Sequence, residues 1–90
     1  MKSAYELAME RLEKQAPSQK LTDEQREALA EIDSTYRAKI AEREVFLHSQ
    51  LAKARAAGDA AEMDSIQLQL SRELSRLREE WEAKKEKARA

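Results

Sequence analysis

Ninety residues, 39% of them charged and 4% aromatic, with a single glycine and a single proline, allow one small domain, 1–90, built from long helices. The absence of cysteine excludes disulfides and thiolate metal sites. The net charge of −1, from 17 basic and 18 acidic residues, excludes the one-signed field of a strong nucleic-acid binder or a basic membrane-surface helix.

The chain opens with a short helix expected over 3–15. Ser3 and Glu6 have the spacing at which a hydroxyl accepts from the third helical amide while the carboxylate reaches back. MKSAYELAMERL meets Glu6 before any apolar core of signal-peptide length can form, so the expected compartment is the cytoplasm. Tyr5, Met9 and Leu12 recur at spacings of four and three. Pro17 disfavours helical geometry at Ala16 and is expected to stop this helix near Gln15.

A second helix is expected over 23–57, opened by Thr22 with Gln25 in the same capping spacing and closed near Gly58, the only residue suited to a left-handed cap. Its large apolar residues are Leu29, Ile32, Tyr36, Ile40, Leu47 and Leu51, continued by Ala54. A third helix is expected over 60–88, started by Asp59 with Glu62. Its series is Met63, Ile66, Leu70, Leu74, Leu77 and Trp81. Acidic residues open both helices and basic ones close them, as the helix dipole favours.

Both series step by threes and fours in an eleven-residue cycle, which keeps a seam nearly straight. One continuous helix would carry the second series onto another face, because the stripe resumes one residue late and one residue is about 100° of rotation. Reversal at Gly58 removes the mismatch. Ala54 then faces Met63, Leu51 faces Ile66, Leu47 faces Leu70, Ile40 faces Leu77 and Tyr36 faces Trp81, every pair mirrored about the Gly58–Asp59 step. The expected fold is all-α: a long antiparallel, coiled-coil-like helical hairpin with a short N-terminal third helix. That helix is expected to fold back over the open end, Met9 near Leu29 and Tyr5 near Ile32, where Lys85 and Ala88 end the apolar seam.

A second stripe on the long second helix consists of Ala30, Ser34, Ala38, Ala41, Val45, Ser49, Ala52 and Ala56, roughly 200° from the seam. Small side chains permit close approach of another helix; they also suit an exposed face, since alanine is the best helix former. A single hairpin layer leaves the flanks of its seam open, with Phe46 and Leu68 expected beside it without a partner. Pairing of two hairpins into a dimeric helical bundle is therefore expected.

Little in the chain suggests chemistry. His48, the only histidine, shares a face with Glu44, but no further histidine or cysteine completes a metal site. Ser65, Ser71 and Ser75 have no histidine nearby, and a glycine-rich phosphate loop is impossible with one glycine. No catalytic, cofactor-binding or metal-binding residue is expected. Arg43 occupies the one seam step where an apolar group was due, opposite Leu74 and beside Glu73. Its stem can lie along the seam with the head in solvent, or it can fix register or partner.

The expected function is that of a small structural or interaction module acting through helix–helix association, with itself and, through the small-residue stripe as candidate partner face, with a larger protein partner. The alternative is a nucleic-acid accessory role for Arg72, Arg76 and the KKEKAR cluster, Lys84 to Arg89; the interleaved Glu73, Glu79, Glu80 and Glu82 argue against it. LAKARAAGDAAEMDSIQLQL resembles the UVR-type hairpin of nucleotide-excision-repair and Clp-associated adaptor proteins in its tight polar turn and acidic-alanine start. Ala60 stands where that pattern favours an aromatic and the Leu-Arg-Asp run is missing, so no functional residue is carried over.

Overall fold

The computed structural model describes residues 3–15 and 20–90, with side chains for 3–11 and 20–90. Pro17 and Ala16, on which the expected stop of the first helix rested, lie outside the described residues, as does the side chain of Leu12. The elements are α1 (Ala4–Gln15), α2 (Asp23–Ala56) and α3 (Ala60–Arg89), with no strand among the described residues.

Each start carries the expected cap. Thr22 forms both arms of a capping box: its hydroxyl accepts from the Gln25 N–H at 3.0 Å, and its own N–H donates to Gln25 Oε1 at 2.9 Å. Ser3 Oγ accepts from the Glu6 N–H at 3.2 Å, and Asp59 Oδ1 from the Glu62 N–H at 3.0 Å.

The turn is compact because of Gly58. Its φ of +69° lies in the left-handed region, where an L side chain is strained. This conformation lets the Asp59 N–H donate to the Ala54 carbonyl at 3.0 Å and the Gly58 N–H to the Arg55 carbonyl at 3.1 Å. Those two bonds form a Schellman motif, which satisfies carbonyls that the end of α2 would otherwise leave orphaned. Asp59 then caps α3 at once, so three residues reverse the chain.

α2 and α3 pack against each other as an antiparallel hairpin. The buried side chains recur at the expected interval: Tyr36 and Leu47 on α2, and Ile66 and Leu77 on α3, each pair eleven residues apart. Leu47, Ala54 and Ile66 form a buried cluster near the turn, covered by Leu51, Met63 and Leu70. At the open half Tyr36 and Trp81 stack with ring centroids 6.2 Å apart. The ends stay in register, since Gln25 Nε2 donates to the Arg89 carbonyl at 3.3 Å.

Three expectations are corrected. α1 does not close the hairpin: among the described residues it packs against neither α2 nor α3, and Tyr5, Leu7 and Met9 are exposed. The open end needs its cover less than the apolar count suggests, because Lys85 and Ala88 prolong the seam as half-buried residues opposite the half-buried Leu29 and Ile32. A lysine stem does there what an aliphatic side chain does elsewhere. Leu68 does not flank the seam. It lies two positions from both Ile66 and Leu70, about 200° round α3 on the outer face, and is 52% exposed.

Candidate functional site: the exposed helix faces

α2 is 34 residues long, about 51 Å at 1.5 Å per residue, and a single neighbouring helix can cover only one stripe of it. The consequence is visible in the burial of the seam. Leu29, Ile32, Ile40 and Leu51 on α2, and Met63, Leu70, Leu74 and Trp81 on α3, are only half-buried. The whole chain exposes 7387 Å², whereas a compact monomer of 10.3 kDa exposes about 5,400 Å². Its radius of gyration of 20.8 Å compares with about 12 Å for a compact domain of this length.

The small-residue stripe, Ala30, Ser34, Ala38, Ala41, Val45, Ser49, Ala52 and Ala56, is exposed at every position, Val45 by 71%. A shallow depression runs along it, lined by Ala41, Val45, Phe46 and Ser49 with Glu42 and Arg43 at its edge. Phe46 projects from the flank of α2 and is steadied by the Arg43 guanidinium, 5.1 Å from its ring centre.

Arg43 is engaged across the seam. Its Nε donates to Glu73 Oε2 at 3.2 Å, and its Nη2 to Glu73 Oε1 at 3.0 Å and Oε2 at 3.1 Å. This forked geometry is the strong form of a guanidinium–carboxylate contact. Both side chains are partly buried, so an unpaired Glu73 would sit badly against the seam.

A second polar group on the seam was not anticipated from the sequence. Trp81 Nε1–H donates to Asp33 Oδ1 at 2.8 Å, and Lys85 Nζ lies 3.8 Å from the same oxygen and 5.9 Å from the Trp81 ring centre. Asp33 stands one residue after the seam position Ile32. A tryptophan on the facing seam, with an indole donor in need of a partner, was the available signal for it.

The basic groups of the alternative reading are dispersed among acids. Arg76 pairs with Glu80 at 3.8 Å, Lys85 with Asp33, and Arg89 with Glu82 at 3.6 Å. His48 is exposed and Glu44 half-buried, and no group of three or more potential metal ligands occurs among the described residues. No helix among them is long and apolar enough to cross a membrane. Set beside known proteins, the chain matches no family model, no curated protein and no solved structure.

Proposed function

We propose that this chain is a helical interaction module of the cytoplasm, which works by associating with a second copy of itself and through that assembly with a larger protein partner. The observation that carries this reading is the surplus of surface. The difference between 7387 Å² and the compact expectation is about 2,000 Å², more than the roughly 800 Å² that each partner contributes to an interface of standard size. The half-buried seam supplies the apolar part of that surface, and Phe46 on its flank extends it. The ion pairs that tie up Arg76, Lys85 and Arg89 favour a protein partner over nucleic acid.

Sedimentation equilibrium of the full chain at low micromolar concentration tests the reading. The expected species is a dimer with the helical circular-dichroism spectrum of a hairpin. A folded 10.3 kDa monomer at that concentration overturns it.

A further inference from the structure

α1 is twelve residues long, at the length where an isolated helix is marginal in water and depends on packing of an apolar face. Tyr5, Ala8 and Met9 make that face, and nothing among the described residues covers it; Tyr5 is 73% exposed. The hairpin carries a groove of matching character beside its open half, floored by Ala28, Ile32 and Tyr36 and rimmed by Lys84 from α3. Lys87 and Glu80 extend the rim on α3, while Glu31 and Lys39 stand on the α2 side.

We infer that this groove receives α1 of a second copy, so that two chains exchange their N-terminal helices reciprocally. The inference rests on the homodimer reading and specifies how the dimer is made.

Charge and handedness together fix the fit. Glu6 and Arg11 flank the apolar face of α1 on opposite sides, each about 110° from its centre. With its apolar face down and its direction antiparallel to α2, a right-handed α1 turns Glu6 toward Lys84 and Lys87, which stand one turn apart on α3. Arg11 turns toward α2, on the side of Glu31. Docked in the opposite direction, α1 would bring Glu6 to Glu31 and Arg11 to the lysines.

The occupant is a second copy because α1 stands clear of its own hairpin and leaves that groove open. Exchange of an identical element is a low-cost route to a dimer with two-fold symmetry, since each contact is used twice.

The chain has no cysteine, which makes the test direct. Met9→Cys and Ala28→Cys are prepared as separate proteins, mixed and oxidised; a disulfide between them can form only between chains. A disulfide-linked heterodimer in several-fold excess over a Leu7→Cys plus Ala28→Cys control, with Leu7 on the far side of α1, is expected. Yield no higher than the control overturns the exchange. The doubly substituted Met9→Cys/Ala28→Cys chain, oxidised at high dilution, supplies the rival outcome, and its conversion to an internally linked monomer with no trans product in the mixture assigns the groove to the chain's own α1 and overturns the second copy.

Charge reversal is an independent arm. Glu6→Lys weakens dimerisation about threefold to tenfold, and added Lys84→Glu/Lys87→Glu restores it. No weakening, or weakening without restoration, counts against the docked orientation. A dimer by sedimentation without the trans disulfide sinks the exchange alone; a folded monomer sinks the homodimer reading with it.

Discussion

Tyr36 and Trp81 lie 45 positions apart in the chain and stack with their planes 9° apart, centroids 6.2 Å from each other. Tyr36 is among the most deeply buried side chains described, and Trp81 covers it while directing its indole N–H sideways to Asp33. The stack ties the open half of the hairpin together, far from the covalent turn.

That sideways bond should be measurable. Asp33→Ala removes the acceptor of the Trp81 N–H and the partner of Lys85, and is expected to lower stability by about 1 kcal/mol. Trp81→Phe keeps the stack and loses the same bond. Urea denaturation of the two single variants and the double variant forms a cycle, with an expected coupling of about 0.5–1.5 kcal/mol. Strict additivity would show that the bond contributes nothing.

Gly58 is constrained by backbone geometry alone, because a Cβ built there meets nothing within 4 Å. Gly58→Ala is expected to cost about 1 kcal/mol through its positive φ, with the hairpin intact. A chemically synthesised chain with D-alanine at this position should be at least as stable as the parent, since D residues favour positive φ and restrict the unfolded chain. Thermal melts of the three proteins distinguish this account from one in which space limits the turn.

Arg43 and Glu73 should behave as a unit. Arg43→Leu gains apolar contact on the seam but strands a partly buried carboxylate, so little net change is expected. Arg43→Leu/Glu73→Leu removes both charges and is expected to gain about 1 kcal/mol or more. Melting temperatures decide the energetics. Sedimentation of the double variant decides whether the pair also sets alignment: a large gain with an unchanged oligomeric state would exclude that role.

Two leucines separate core from surface. Leu47 is 2% exposed and Leu68 52%. Leu47→Ala is expected to cost about 2–5 kcal/mol, whereas Leu68→Ala should change the stability of the hairpin by less than about 0.5 kcal/mol. Chemical denaturation at fixed protein concentration reads both. A comparable loss at Leu68 would indicate that the outer face of α3 is covered in solution.

The helices and their ends were legible in the sequence because caps are local. Thr22 and Gln25, or Gly58 and Asp59, meet across one or two turns of chain, and their chemistry admits few alternatives. The fold-back at Gly58 could be read for a related reason: two helices with equal rise per residue impose mirror pairing, and Tyr36 opposite Trp81 obeys it. The placement of α1 could not be read this way. Met9 near Leu29 satisfied spacing and hydrophobicity, yet docking also requires the linker to close and the groove to be free, neither of which is a periodic property.

Polar contacts across the seam were likewise hidden. Arg43 could be seen to interrupt the stripe, but the forked bond to Glu73 depends on rotamers and on the distance between two axes. The indole donor of Trp81 called for an acceptor, but nothing in the spacing singled out Asp33. Three helices, one reversal and an eleven-residue seam follow from local backbone preferences and a repeating angle, and both of these are written in residue order. Which polar groups meet across that seam, and which apolar faces stay uncovered, depends instead on how two helices approach each other in space.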